Sequence, residues 1–320
     1  ARHNIFDFLD RDCQTYLPRL SSARVGSVKR FVRIGKFRIP LERPELRLLR
    51  RSRPFWSILG ERRIWSTILR VPVTFPPDRF YGAELSAMSV PDLLGTQGTF
   101  LLYTTRQAEA GITEGGIRVQ VKAAGDRIET AIEGPKNPFV VSGPPLQAAL
   151  TIALDRVRGR ARVNTSGDTI ELEPGRLSRW VAVKFRAAPG VTVSGITRFQ
   201  LLEMGEHVSL YVAPLNIDPD RPAMPISHPS YYATYLARRI GAFATLGLAE
   251  DTWALNEGVT SESTFLRQTY AEEEQIALLR PHEARAETRG RLLAERDATL
   301  AAQGDRVAQL ESLLQAPAMR

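Results

Sequence analysis

Apolar and polar residues alternate through the middle of the chain, and short turn signals separate the alternating runs. Residues 117–122 and 127–132 both alternate, and Ala-Gly-Asp at 124–126 lies between them. Five further short runs rich in apolar residues follow at 161–164, 169–172, 180–185, 196–202 and 208–212. Alternation with a period of two places every second side chain on one face of a strand, and Gly/Asp turns are typical of hairpins. The pattern predicts an antiparallel, β-rich domain over residues 100–213.

The segments on either side of this domain have a different pattern. Pro54 precedes apolar residues spaced as on one face of a short helix, and residues 64–73 are rich in β-branched and apolar residues. The second segment is typical of a buried strand, which Pro76 and Pro77 would end because proline cannot donate a ladder hydrogen bond. Residues 231–240 and 262–279 are the next candidate helices.

The last part of the chain predicts a long helix. Residues 285–315 are rich in Ala, Arg, Glu and Leu, and four apolar residues recur every seven positions: Leu293, Leu300, Val307 and Leu314. This spacing is that of a sparse coiled-coil stripe. Self-association through residues 281–315 is therefore one possible function of the tail. We divide the chain into four segments: 1–99, 100–213, 214–271 and 272–320.

Positive charge is concentrated near the start of the chain. The net charge is +8 over 320 residues, but residues 1–80 alone contain 18 basic and 7 acidic residues. Residues 29–38 interleave basic and aromatic side chains, a pattern that can bind a polyanion. A solvated basic face is the simpler alternative.

Composition excludes two further features. The single cysteine, Cys13, excludes an internal disulfide, and no apolar run is long enough to cross a membrane.

Five segments resemble one enzyme family. They are residues 1–8 (Ala-Arg-His-Asn-Ile-Phe-Asp-Phe), 54–61 (Pro-Phe-Trp-Ser-Ile-Leu-Gly-Glu), 71–77 (Val-Pro-Val-Thr-Phe-Pro-Pro), 90–100 (Val-Pro-Asp-Leu-Leu-Gly-Thr-Gln-Gly-Thr-Phe) and 245–252 (Thr-Leu-Gly-Leu-Ala-Glu-Asp-Thr). In this order they resemble alkaline phosphatase superfamily hydrolases of the type I phosphodiesterase/nucleotide pyrophosphatase branch. The resemblance covers about residues 1–270.

The resemblance implies a fold and a chemistry. The expected fold class is α/β: a partial alkaline-phosphatase-like parallel sheet with flanking helices, an inserted antiparallel β domain and a long C-terminal helix. The family hydrolyses phosphoric esters with a hydroxyl nucleophile between two divalent metal ions, expected to be zinc. Its nucleophile would precede residue 1 and its remaining metal ligands would follow about residue 272. We therefore expect an internal fragment that binds no metal and is inactive alone.

The resemblance also suggests substrate-lining residues at the start of the chain. His3 matches a His beside the family's nucleophile helix, and Asn4 stands where the family has Gly. Phe8, with Asp7 beside it, stands where nucleotide-cleaving members have a phosphate-contacting Asn. This difference implies another phosphate ester or phosphodiester as substrate. A nucleic-acid partner is not expected.

Two later residues are further substrate-lining candidates. Thr74 lies at the end of the predicted strand, where it could either contact a ligand or cap the turn. His228, before Pro229, could line a site or serve as a structural histidine at a helix start.

Residues 95–98 (Gly-Thr-Gln-Gly) could hold a phosphate or form a plain turn. No signal peptide is recognisable, so a cytoplasmic location is slightly favoured.

Overall fold

The computed structural model describes residues 9–11, 18–20, 23–26, 30–35, 37–42, 45–107, 111–141, 143–248, 250–271, 274 and 277–278. His3, Asp7, Phe8, Cys13 and the heptad stripe lie outside these residues, so the predictions made for them stay predictions.

Most elements of the described residues are β-strands. Numbered in chain order, these strands are β1 (Leu9–Arg11), β2 (Pro18–Leu20), β3 (Ala23–Val25), β4 (Phe31–Ile34), β5 (Phe37–Pro40), β6 (Leu46–Leu48), β7 (Ser66–Leu69), β8 (Gly82–Leu85), β9 (Phe100–Thr104), β10 (Gly111–Ile112), β11 (Gly116–Gln120), β12 (Ala123–Ala124), β13 (Arg127–Lys136), β14 (Pro145–Asp155), β15 (Arg160–Thr165), β16 (Thr169–Leu172), β17 (Val181–Ala188), β18 (Val191–Thr197), β19 (Phe199–Met204), β20 (Val208–Val212), β21 (Asn216–Ile217) and β22 (Ser227–His228). The helices are α1 (Phe55–Glu61), α2 (Tyr232–Ile240), α3 (Thr252–Asn256) and α4 (residues 262–271).

An antiparallel sheet of five strands forms one layer of the β-rich region. Its order is β12-β13-β14-β15-β16. Along β14 the side chains alternate between buried and exposed, so Leu150 and Ile152 face inward while Ala149 and Ala153 face outward. The predicted alternation of buried and exposed side chains is confirmed along this strand. The predicted run at residues 169–172 is also confirmed as a strand, β16.

A second layer covers the inner face of this sheet. It contains a five-stranded sheet of order β10-β11-β9-β20-β19 and a three-stranded sheet of order β17-β18-β21. The hydroxyl of Tyr103 in β9 donates to the carbonyl oxygen of Ala131 in β13 at 2.8 Å. The fully buried ring of Phe185 in β17 packs against Gly134 in β13. Close approach of the two layers therefore requires a residue without a side chain at position 134.

This packing predicts the effect of a single methyl group. A Cβ atom at position 134 would lie 2.6 Å from two ring carbons of Phe185. We expect Gly134→Ala to lower the free energy of unfolding by about 2 kcal/mol, because the ring has no space to move away. Urea denaturation measures the change. Gly205→Ala is the control, since a Cβ there would meet nothing within 4 Å. Equal stabilities for the two variants would contradict the packing of these layers.

A small mixed sheet lies beside the β-rich region, with the order β22-β8-β7. Strands β7 and β8 are parallel, and β22 pairs antiparallel with β8. Helix α1 packs near β7, and α2 packs near β8 and β22. The helices predicted after Pro54 and over 231–240 are thus present. Strand β7 is shorter than the predicted 64–73 because the backbone turns at Arg70, which has a φ of +50°.

The predicted fold class is wrong. The described residues are mostly β-strand with short helices, in several small sheets. Among their strands, parallel pairing is limited to β7 with β8 and β9 with β11. Antiparallel strands can be joined by short turns, whereas parallel strands require crossover connections, which are usually helices. A strand with alternating apolar residues buries only one of its faces, here against another sheet, so the fold requires few helices. Residues 285–315, where the long helix was predicted, lie outside the described residues.

One continuous hydrophobic core connects the β-rich region with the mixed sheet. Its buried members extend from Ala23 to Phe243 and include Leu85 in β8 and Leu150 in β14. The division into segments 1–99, 100–213, 214–271 and 272–320 remains a prediction. No helix among the described residues is both long and apolar enough to span a membrane.

Candidate functional site

Segments distant in the sequence meet where β7 and β8 end. Arg70, directly after β7, donates from Nη1 to the carbonyl oxygen of Ala244 at 2.7 Å. The amide of Val73 donates to the carbonyl oxygen of Met88 at 3.1 Å. A Cβ on Gly247 would lie 2.7 Å from the Cα of Met88, and one on Gly98 would lie 3.2 Å from Leu246. We call this region, formed by residues 50–61, 70–78, 84–99, 244–248 and 250–251, the junction.

A charged cluster lies at one side of the junction. Arg50 forms an ion pair with Asp78, and the Arg50 guanidinium lies 5.4 Å from the ring centre of Trp56. Nη1 of Arg50 also donates to the carbonyl oxygen of Val73 at 3.3 Å. The indole Nε1 of Trp56 donates to Oδ2 of Asp78 at 3.2 Å. Arg50 therefore connects helix α1 with the segment that follows β7.

Glu84 is the buried acid of this cluster. Its side chain is fully buried, Oε2 accepts from the amide of Asp78 at 3.2 Å, and Oε1 has no hydrogen-bond partner in the part of the chain that the structure describes. Burial, with repulsion from Asp78, raises the pKa of Glu84 to about 8, although Arg50 opposes the rise. The Glu84 carboxyl is therefore protonated at neutral pH, a state in which it can donate a hydrogen bond.

The backbone of the junction adopts unusual conformations. Val73 has a φ of +61° and Ser89 a φ of +90°, both in the left-handed region. For a β-branched residue such as valine this conformation is a genuine outlier, and such residues persist only where surrounding contacts hold them. The hydrogen bonds from Arg50 to the Val73 carbonyl and from the Val73 amide to Met88 provide these contacts. Strained residues of this kind cluster at functional sites.

The structure places two predicted site residues beside the same strand of the junction. Thr74 is fully buried, and its hydroxyl donates to the carbonyl oxygen of Val71 at 2.7 Å and accepts from the amide of Ala87 at 3.3 Å. His228 in β22 lies opposite Glu84 in β8, and its Nε2 lies 2.9 Å from the carbonyl oxygen of Phe80. Because Thr74 is fully buried, its hydroxyl does not line the surface of the junction. The substrate-lining roles of both residues stay predictions.

The glycine-containing loop at 95–98 is organised around a buried acid. The Asp92 carboxylate accepts from the amide of Thr96 at 2.7 Å and from the amide of Thr99 at 3.1 Å, and the Thr96 hydroxyl also donates to it. Burial raises the pKa of Asp92, although these hydrogen bonds oppose the rise. The carboxylate thus occupies the amides of Thr96 and Thr99 and caps the turn. Whether residues 95–98 also hold a phosphate stays a prediction.

The sequence analysis did not identify Glu84 or Asp78 as site residues. A weak signal for Glu84 was present, since it is the one acid between Gly82 and Val90 in a segment that is otherwise small or apolar. No local pattern indicates that Asp78 contacts Arg50, because 28 positions separate them.

The described residues do not fit a two-metal centre. They contain no group of three or more His, Cys, Asp or Glu side chains that could hold a metal ion. Asp78 is engaged by Arg50, and the free oxygen of Glu84 belongs to a protonated carboxyl. The two metal ions implied for the intact family enzyme therefore stay a prediction about residues outside those described.

Comparison with known proteins assigns this chain to no family: a scan against family models, a search of curated proteins and a search of solved structures each found no match. The resemblance to the alkaline phosphatase superfamily therefore rests on the five sequence segments given above.

Proposed function

We propose that this chain is part of a phosphoric ester hydrolase and that the junction contacts a small phosphate ester or phosphodiester substrate. The observation that carries the proposal is a series of contacts between segments 54–61, 71–77, 90–100 and 245–252. These are four of the segments whose sequences resemble that enzyme class. Arg50 contacts both Trp56 and Val73. Met88 contacts Val73 and Gly247, and Leu246 contacts Gly98. Buried titratable groups and left-handed backbone occur in the same place, which is typical of functional sites.

The charge around the junction supports an anionic substrate. Residues 50–79 contain seven arginines but only two acids, Glu61 and Asp78, and both acids form ion pairs with arginine. The exposed arginines that form no ion pair with a described residue are Arg51, Arg62, Arg63 and Arg79. Such a surface attracts a phosphate ester, and arginine binds phosphate oxygens through charge-assisted hydrogen bonds.

Glu84 would act as a positioning residue in this proposal. It contacts the amide of Asp78 and not the surface, so its protonated carboxyl holds the segment that carries Thr74 and Asp78. The nucleophile and metal ions of such a hydrolase have to come from residues outside the described ranges. We therefore assign no bond-breaking step to the residues of the junction.

Calorimetric titration of this chain with bis(4-nitrophenyl) phosphate tests the proposal. We expect saturable binding that inorganic phosphate competes away. Arg51→Gln/Arg79→Gln should weaken binding about tenfold, because it removes two charges that flank Arg50 and Asp78. Lys184→Gln/Arg186→Gln is the matched control, since it removes two exposed charges from β17.

Two results would contradict the proposal. One is the absence of saturable binding, and the other is an equal loss of binding in the control variant, which would show attraction to net charge alone. Release of 4-nitrophenol by this chain with added zinc should not exceed the protein-free rate. Zinc-dependent turnover would contradict the prediction that this chain is inactive alone.

A further inference from the structure

Strands β4 and β5 form a hairpin that joins the β-rich region at one edge. Phe31 pairs with Pro40, Val32 with Ile39, Arg33 with Arg38 and Ile34 with Phe37. Gly35, with a φ of +58°, lies in the connecting turn, where a two-residue hairpin loop requires a left-handed residue. The amide of Arg38 donates to the carbonyl oxygen of Phe139 at 2.8 Å. The hairpin is therefore held through its backbone. The side chains of Phe31, Arg38 and Pro40 are half-buried, and the other described side chains of the two strands are exposed.

One face of the hairpin is cationic. The guanidinium groups of Arg33 and Arg38 lie 5.2 Å and 5.4 Å from the ring centre of Phe31. These two arginines are directly opposite each other on neighbouring strands, and neither forms an ion pair with a described residue. Two like charges in this position repel each other unless an anion binds between them. Residues 24–53 also contain eleven basic residues and only two acids, Glu42 and Glu45.

The other face of the hairpin is exposed and mostly aliphatic. Val32, Ile34, Ile39 and Leu41 are 43%, 62%, 44% and 58% exposed, and Phe37, the cross-strand partner of Ile34, is 42% exposed. Val32 and Ile39 are cross-strand partners, so these side chains form a contiguous patch and not isolated surface residues. A contiguous apolar patch bordered by charged residues marks an interaction surface.

We propose that the β4–β5 hairpin docks this protein on the surface of an anionic lipid bilayer. Arginines at the headgroup level bind anionic lipids, while aliphatic side chains enter the boundary between headgroups and acyl chains. The hairpin carries both kinds of group within ten residues, and the surrounding positive charge fits a negatively charged membrane surface. This inference concerns residues 30–41 and does not depend on the hydrolase proposal.

The side chains favour a bilayer over a nucleic acid. Single-stranded nucleic acids are bound through aromatic rings on which bases stack. The Phe31 ring is already covered by Arg33 and Arg38, so it offers no free platform. Phe37 is the one ring in the exposed patch, and the other four side chains are aliphatic. Aliphatic side chains gain free energy from leaving water for lipid but offer no surface on which a base can stack.

Sedimentation with lipid vesicles tests the proposal on the full chain. We expect binding to vesicles of phosphatidylcholine mixed with phosphatidylglycerol, little binding to pure phosphatidylcholine, and weaker binding in high salt. Arg33→Gln/Arg38→Gln should lower the partition coefficient about 30-fold, because each basic residue near an anionic surface contributes about 1 kcal/mol. Ile34→Ser/Ile39→Ser should lower it about tenfold, because less apolar surface enters the lipid.

Control variants change the same residue types elsewhere. Lys184→Gln/Arg186→Gln removes two exposed charges, and Ile112→Ser/Val157→Ser removes two exposed aliphatic side chains, 87% and 98% exposed. Both should bind vesicles like the unchanged chain, and circular dichroism verifies that all variants remain folded.

Equal binding to neutral and anionic vesicles, or equal losses of binding in the control variants, would overturn the proposal. Tighter binding to duplex or single-stranded DNA than to anionic vesicles would identify a nucleic-acid surface instead. A doubled solution mass that returns to one chain in Ile34→Ser/Ile39→Ser would show that a second copy covers the patch.

Discussion

Replacing Arg50 with methionine is expected to lower the free energy of unfolding by roughly 3 kcal/mol at pH 7. The side chains of Arg50 and Asp78 are only 11% and 20% exposed, so the substitution leaves an acid almost buried without its cation. Breaking a buried ion pair from one side costs more than the pair contributes, because the remaining charge is no longer compensated. The substitution also removes the donor to the Val73 carbonyl oxygen, which holds a left-handed residue in place.

Urea denaturation of three variants separates this effect from a general loss of arginine. Arg53→Met breaks an ion pair with Glu61 in which both side chains are more than half exposed, and it should cost less than about 1 kcal/mol. Arg50→Met/Asp78→Asn should recover part of the loss, because no unpaired charge remains. An Arg50→Met variant as stable as Arg53→Met would contradict the role given to the charged cluster.

The second large effect is a dependence on pH that Glu84 introduces. The pKa of Glu84 is about 8 in the folded chain and near 4.5 in the unfolded chain, so the folded state binds the extra proton between these values. The stability that the protonated carboxyl contributes is complete below about pH 4.5 and is lost as the pH rises to 8 and above. Glu84→Gln keeps a neutral side chain of similar shape at every pH. We therefore expect this variant to match the unchanged chain below about pH 4 and to exceed its free energy of unfolding by up to roughly 4 kcal/mol at pH 9.

Denaturation of both proteins at several pH values measures this difference. Other acids titrate in both chains, and their contributions cancel when the two curves are subtracted. Glu133→Gln on the exposed face of β13 is the control for the loss of one acid. If the difference in free energy of unfolding between Glu84→Gln and the unchanged chain did not change with pH, the Glu84 carboxyl would titrate as it does in water. That result would contradict the burial of Glu84.

The two basic regions of the chain have separate tests. The hairpin proposal concerns Arg33, Arg38 and the aliphatic patch, whereas the hydrolase proposal concerns the exposed arginines near Arg50 and Asp78. A chain that binds vesicles but no phosphodiester would retain the first proposal and lose the second. Binding of phosphodiester without vesicle binding would have the reverse meaning.

Local patterns in the sequence were sufficient for most of the individual elements. Alternation with a period of two predicted the strands of the β-rich region, because one buried face requires an apolar residue at every second position. The apolar residues after Pro54 and those in 231–240 likewise predicted helices α1 and α2, with small differences at their ends. In each case neighbouring residues along the chain determine the element.

The arrangement of these elements could not be predicted in the same way. The expected parallel framework was wrong because the pairing of strands depends on which sheets can cover one another, and residues far apart in the sequence decide this. Gly134 is one example. A side chain at this position is excluded only because Phe185, in another sheet, packs against it. The charged cluster of Arg50, Asp78 and Glu84 is a second case, and the pKa of Glu84 depends on burial that no sequence window reveals. The sequence by itself thus determined the elements and the basic character of the first 80 residues. Only the tertiary structure decided the sheet order and the groups that meet at the junction, because both depend on packing between residues far apart in the chain.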